Sequence, residues 1–175
     1  LDKESTATYN LVVQATDGTT PDTETITITI TDVAPTVTDT SANLAETAAA
    51  NAAVVTVSTS GDTTSLTWSI ASGNDDGVFA IGASTGAITV ADTTNLDKES
   101  TATYNLVVQA TDGTTADTET ITITITDVND NAPVYSSSST TQSVQEFDES
   151  SGSSLDTVAI TDGDATNMNL SLIHI

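Results

Sequence analysis

Residues 1–33 recur as residues 96–128 with a single change, Pro21 against Ala116, so the chain repeats itself with a period of 95 residues. A period near 100 suits one seven-stranded β-sandwich per repeat and is far too long for solenoid units of about 20–50 residues. The two copies agree at polar positions as well as apolar ones, which points to recent duplication and to further copies beyond this segment.

The repeated block carries a strict two-residue period. Thr25 to Thr31, and its partner Thr120 to Thr126, alternate Thr with Ile, which puts three Ile on one sheet face and Thr on the other. Tyr104 to Ala110 is a second strand, bounded by the turn formers Asp112 and Gly113, with Tyr104, Leu106, Val108 and Ala110 on a common face. Both copies are expected to form half-buried strands. Shorter strand signals lie at Ala53–Val57, Leu66–Ile70, Val78–Ile81 and Ala87–Val90, separated by Gly and Asn. The Ala-rich stretch Leu44–Val55 could form a helix on propensity, but propensity is the weaker guide and a strand-based reading is preferred. The expectation is an all-β chain of tandem antiparallel sandwiches.

The net charge is -23, from 25 Asp and Glu against 2 Lys and Arg, which repels nucleic acid and anionic lipid and favours cations. Cysteine is absent, so no disulfide can staple the domains and no thiolate can hold a soft metal. No apolar run of about 18 residues could cross a bilayer, and no leader is legible, so any export signal or anchor is expected elsewhere.

Several short motifs follow one another in a set order. They are A-E-T around Glu46, F-A-I-G-A-S-T-G-A-I at Phe79–Ile88, L-D-K-E at Leu96–Glu99, A-T-D-G at Ala110–Gly113 and D-V-N-D-N-A-P at Asp127–Pro133. In this order they resemble the cadherin repeat family, in a prokaryotic-looking variant, with Lys98 where the family usually has Arg. The resemblance implies Ig-like, cadherin-like Greek-key sandwiches: residues 1–33 the C-terminal part of one repeat, 34–131 a complete repeat, and 132–175 the N-terminal part of a third. It also implies calcium, typically three ions, at the junction between successive repeats. Carried over residue by residue, the ligands would be Glu46, Asp97, Glu99, Asp127, the backbone carbonyl of Asn129, Asp130, Asn131, Asp162 and Asp164. Independently, a set of carboxylates and amide oxygens suits calcium, which takes 6–8 oxygen ligands, and does not suit zinc. The other junction departs from the pattern: Asp32-Val33 runs straight into Ala34-Pro35 without N-D-N, and Thr59-Ser60-Gly61-Asp62 stands in place of D-x-D. Asp2, Glu4, Asp32, Asp62 and Asp112 remain there, so fewer ions or none are expected, with a more flexible joint.

Other signals are decoys. An EF-hand over Asp127–Asn131 fails because Ala132 replaces the required Gly and Ser138 stands at the bidentate Glu position. Gly82-Ala83-Ser84-Thr85-Gly86 matches a hydrolase nucleophile string, but a strand signal follows where a helix is needed, so it reads as a turn and the chain as no enzyme. Trp68, alternating with Leu66 and Ile70, reads as core. Met168–Leu172 reads as a strand, whereas Ile173–Ile175 resemble an adapter read-through and are set aside, along with the sequon at Asn169.

The family resemblance implies a calcium-binding segment of an extracellular, cell-surface protein involved in cell adhesion. Its partners would be other repeats in cis and like molecules or surface glycans in trans, with neither nucleic acid nor membrane insertion. The alternatives are a calcium-stiffened spacer presenting another domain and a carbohydrate-binding sandwich of an exported enzyme. For the latter, a total of six aromatic residues is unfavourable.

Overall fold

The computed structural model describes residues 1–135 and 160–164, which contain strands and turns and no helix. They fall into two units, Leu1–Thr126 and Asp127–Ile175.

In the first unit, β1 (Thr8–Thr16) and β2 (Pro21–Thr29) make a hairpin of their own. The rest is a sandwich. One layer is a four-stranded sheet ordered β4 (Ser41–Ala45), β11 (Ala116–Thr126), β10 (Thr103–Thr111), β7 (Thr67–Ser72). The other is a three-stranded sheet ordered β5 (Ala53–Thr56), β9 (Ala87–Val90), β8 (Phe79–Ile81). A short pair, β3 (Pro35–Val37) with β6 (Thr59–Gly61), completes it. Pairing is antiparallel throughout except between the early strand β4 and the late strand β11, which run parallel with Leu44 opposite Ile125.

The period-two pattern explains the core. In β10 and β11 the residues Leu106, Val108, Ala110, Ile121, Ile123 and Ile125 are fully buried or nearly so, and the intervening residues face away. Opposite them, Phe79, Ile88 and Val90 close the interior, with Trp68 and Leu96 at its margins. Phe79 meets Tyr104 edge to face, ring centres 5.1 Å apart, while the Tyr104 hydroxyl donates to the Asn95 carbonyl at 2.7 Å. That hydrogen bond lets a phenol be buried without an orphaned polar group. The G-A-S-T-G string is a turn between β8 and β9, closed by Gly86 N–H to the Gly82 carbonyl at 2.9 Å. Gly86 has φ +65 and lies against Trp68, where a Cβ would meet the indole Cε2 at 2.9 Å, so both the backbone and the ring demand glycine.

In the first unit β3 and β4 were not legible in the sequence, whereas β6 falls on the strand read at Thr59–Asp62. β3 and β4 are short and exist because neighbouring edges pair with them. The Ala-rich stretch from Leu44 is β4, a turn in which Asn51 takes φ 67, and β5. Tertiary pairing overrides the local helix preference there.

One expectation requires correction. The two copies of the repeated hairpin were both expected to be half-buried, yet every residue of β1 and β2 is exposed. Leu11 and Ile28 are 46% and 43% exposed, while their counterparts Leu106 and Ile123 are 0% exposed. The difference is in the facing layer: residues 34–95 cover β10 and β11, and no described residues cover β1 and β2.

In the second unit, β12 (Val134–Tyr135) pairs antiparallel with β13 (Ile160–Thr161). The expected strand Met168–Leu172 and residues Asn169 and His174 lie outside the described residues.

The twin hairpins make a paired prediction. Ile123→Ala removes methyl groups from a packed core and should destabilise the chain by about 2–5 kcal/mol. Ile28→Ala, the same change at the equivalent exposed position, should cost within about 0.5 kcal/mol of nothing. Denaturant unfolding of both variants provides the check.

Candidate metal centres

The acidic motifs fold as local turns that fix where their carboxylates sit. In the first L-D-K-E, Asp2 accepts hydrogen bonds from Glu4 N–H at 2.9 Å and from the Ser5 hydroxyl at 2.9 Å. In the second, Asp97 accepts from Glu99 N–H at 3.0 Å and the Ser100 hydroxyl at 2.7 Å. The serine hydroxyls above all hold both carboxyls below their ordinary range. The A-T-D-G turns are likewise alike. Asp112 accepts from the N–H groups of Thr115 and Thr114, both at 2.8 Å, and from the Thr115 hydroxyl at 2.9 Å. These bonds, led by the backbone N–H of Thr115, hold its carboxyl below the usual range. Its counterpart Asp17 is drawn down to about 2 by the backbone N–H of Thr20, then by the N–H and hydroxyl of Thr19. The carboxylates are therefore ionised by local design across the neutral range.

Within the first unit, two such turns meet where residues 1–33 join the sandwich. Glu4, Asp32 and the buried Asp112 each bring a carboxylate oxygen within 4.8 Å of the others. Asp2, Glu4 and Asp62 do the same, so Glu4 belongs to both groups. Asp62 is itself anchored by the N–H and hydroxyl of Thr64, at 2.8 and 2.6 Å. Both oxygens of Glu4 and both of Asp32 are shut off from solvent and have no hydrogen-bond partner. Bare carboxylate oxygens removed from water and turned toward like charges are strongly unfavourable unless a cation joins them. The donors are all hard oxygens with no His or Cys among them, which fits calcium and not zinc. This junction, which lacks N-D-N, thus still assembles Asp2, Glu4, Asp32, Asp62 and Asp112. The sequence places these same five at this junction, with fewer ions or none expected; what it does not give is the convergence of Glu4 on both groups.

The residues of the intact-motif junction are built on both units. In the first unit, Glu46 is buried, accepts a hydrogen bond from Lys98 N–H at 2.8 Å, and donates its own N–H to the Thr126 carbonyl at 3.3 Å. That bond ties Glu46 to the L-D-K-E turn carrying Asp97 and Glu99, at the end of β11. Asp112 lies at the opposite end, since β11 spans 11 residues, or about 33 Å of extended chain. In the second unit, Asp164 is buried and accepts from Asn131 N–H at 2.7 Å and the Asn131 side-chain amide at 3.0 Å. The same amide donates to Asp130 at 3.0 Å, and Asp162 accepts from Asp164 N–H at 3.3 Å. The β12–β13 ladder thereby brings Asp130, Asn131, Asp162 and Asp164 together. Asp127 and Asn129 are exposed on the irregular segment leading into them.

Comparison with known proteins agrees with this architecture. Residues 40–126 match the family model described as a cadherin domain. Human Protocadherin Fat 1 is 44% identical over 84 residues, which is 46% of this chain and 2% of that protein. Mouse Cadherin EGF LAG seven-pass G-type receptor 2 is 36% identical over 174 residues, covering 94% of this chain and 6% of that protein. The chain therefore spans only a small part of the curated relatives it matches. Among solved structures, mouse Cadherin-23 EC22-24 superposes with a TM-score of 0.64 at 27% identity, covering 93% of this chain and 56% of that one. This is a family of non-enzymatic modules, so the G-x-S-x-G turn carries no hydrolase chemistry. With its sandwich, motif order and sequence matches in agreement, the chain is a cadherin repeat protein, residues 40–126 forming its cadherin domain.

Proposed function

We propose that this segment binds calcium at the junctions between its repeats and serves an extracellular, cell-surface protein that takes part in cell adhesion. The observation that carries the calcium reading is the set of four buried, unpartnered carboxylate oxygens on Glu4 and Asp32, beside the buried Asp112. A bound calcium ion would supply the positive charge and the oxygen coordination that this cluster lacks. Glu4 and Asp32 belong to residues 1–33 and Asp62 and Asp112 to the middle repeat, so the ion would tie the two together. Without it their like charges push apart. The same chemistry is proposed for Glu46, Asp97 and Glu99 with Asp127, Asn129, Asp130, Asn131, Asp162 and Asp164. Support for that second set is the order of the motifs and the way each side is already anchored by hydrogen bonds.

Adhesion and surface location are inferred from kinship. The matched solved chains include the extracellular cadherin domains 1-5 of Protocadherin Gamma B2, at 30% identity and a TM-score of 0.55. The proposed partners are other cadherin repeats. A spacer role is the second reading, favoured by the near-identity of residues 1–33 and 96–128 at solvent-facing Thr positions, which leaves the repeated surface undiversified. Beads coated with the protein separate the two: calcium-dependent clustering supports adhesion, and calcium binding without clustering supports the spacer.

Two outcomes are expected for calcium itself. In chelator, Asp32→Asn should raise the unfolding midpoint, because it removes a buried negative charge from a repulsive cluster. In millimolar calcium it should lower the midpoint relative to the parent, because a ligand is lost; a variant with the same effect in both media would contradict a cation site. For a chain extended through a complete last repeat, calorimetry should give dissociation constants of about 10⁻⁴ to 10⁻³ M. Asp130→Ala should weaken that binding roughly tenfold, as ligand charge count sets affinity at such sites.

A further inference from the structure

The three residues of β3 fix where two acids of the first junction stand. On one edge β3 pairs with β6, Pro35 opposite Gly61. Asp32 lies three residues before Pro35, and Asp62 directly follows Gly61, so this ladder holds the two acids side by side. The fit is close: Gly61 has φ +82, and a Cβ on it would strike the Ala34 carbonyl oxygen. Asp112 belongs instead to the turn between β10 and β11, which the β3–β6 ladder does not reach.

A single carboxylate joins these two parts. Asp117 lies on the core-facing side of β11, in line with Ile121, Ile123 and Ile125 and opposite the buried Ala110. A half-buried acid there is unfavourable unless it is bonded. Asp117 accepts the Val37 N–H at 2.8 Å, from 80 residues away in the chain. The next N–H along, that of Thr38, donates the other way, to the Ser58 carbonyl at 2.9 Å. Val37 is buried, so without Asp117 its N–H would be an orphaned donor. Packing of the Val37 side chain holds β3 on the core but is non-directional, whereas a charge-assisted hydrogen bond fixes the register. The local sequence does not dictate this bond. Asp22, the counterpart of Asp117 in the first copy, accepts from the neighbouring Thr23 N–H at 3.0 Å.

We infer that Asp117 is a positioning residue for the candidate cation site at this junction. It is no ligand itself; its carboxylate locks β3 against the Asp112 end of β11 and so carries Asp32 and Asp62 to Asp112. Asp117 follows Asp112 by five residues, and the turn between them is closed by the Thr111 hydroxyl on the Thr115 carbonyl at 2.7 Å, which ties the two acids to one frame. The acids are thereby divided by task. Asp117 is satisfied by a protein donor, while Glu4 and Asp32 have none and are left for the cation. This inference rests on the calcium reading proposed above.

Calcium titration followed by NMR at the Glu4 and Asp32 amides reports this junction in the chain as it stands. Asp117→Ala, and the isosteric Asp117→Leu that suits a core-facing position, should each weaken binding there by roughly tenfold or more, the usual cost of losing a group that orients a metal ligand. Asp117→Asn keeps an oxygen for the Val37 N–H and loses only the charge, so it should retain most of the affinity. A loss as large as that of Asp117→Leu would mean that Asp117 acts through its charge, and would overturn the inference. Amide exchange in chelator reads the bond without any ion. Val37 should exchange roughly tenfold faster in Asp117→Leu than in the parent, with Ile121 and Ile123 still protected as the check that the sandwich is intact. Faster Val37 exchange with unchanged calcium affinity would also overturn the inference, since the bond would then exist without positioning the site. A parent chain with no calcium shifts would sink the calcium reading and this inference together, a failure visible before any substitution is made.

Discussion

The structure depends on one constraint: a strand that alternates Ile with Thr has one face that must be covered. A sheet built from such strands is stable only with a second layer about 10 Å away that buries the apolar face. In the middle repeat β5, β8 and β9 supply that layer, and Leu106, Ile121 and Ile123 disappear from solvent. In residues 1–33 the same side chains stand exposed on a hairpin whose pairing is unchanged. The contrast shows that strand pairing follows from the local sequence, while burial is a property of the repeat as a whole.

Covering the faces leaves the strand ends to carry the charge. The core accepts no carboxylates, so the acids collect in the turns at the two ends of the sandwich, Asp112 at one and Glu46 with Asp97 at the other. The turns carrying Asp97 and Asp112 fix those acids with backbone N–H and hydroxyl donors, which favours their ionised form and leaves them in a defined place. Acids gathered in this way repel one another, and a bound cation, as proposed, would offset that repulsion. A chain without cysteine and with a net charge of -23 has no disulfide to stiffen its joints, so the proposed cation would be its means of coupling one repeat to the next.

Much of this was legible in the sequence because it rests on period and motif. The alternation at Thr120–Thr126 gave the buried face of β11, and Trp68 between Leu66 and Ile70 gave a core residue. The strands β3 and β4 were not legible, since Pro35–Val37 and Ser41–Ala45 are too short for a pattern of their own and are strands only by pairing. The exposure of β1–β2 was equally hidden: its residues are those of a buried hairpin. At the metal centres, the intact D-V-N-D-N-A-P drew attention to one junction. At the other, the five acids were legible but their grouping was not, since Glu4 and Asp32 lie 28 residues apart in sequence and meet Asp112 only in the fold.

The proposed cation coupling rests above all on the buried carboxylates of Glu4 and Asp32. The most direct measurement is a crystal structure of the chain grown in millimolar calcium. The expected result is an ion held by oxygens of Glu4, Asp32 and Asp112 at distances of about 2.3–2.6 Å. Carboxylates turned out to solvent in that crystal, with water alone between Glu4 and Asp32, would contradict it.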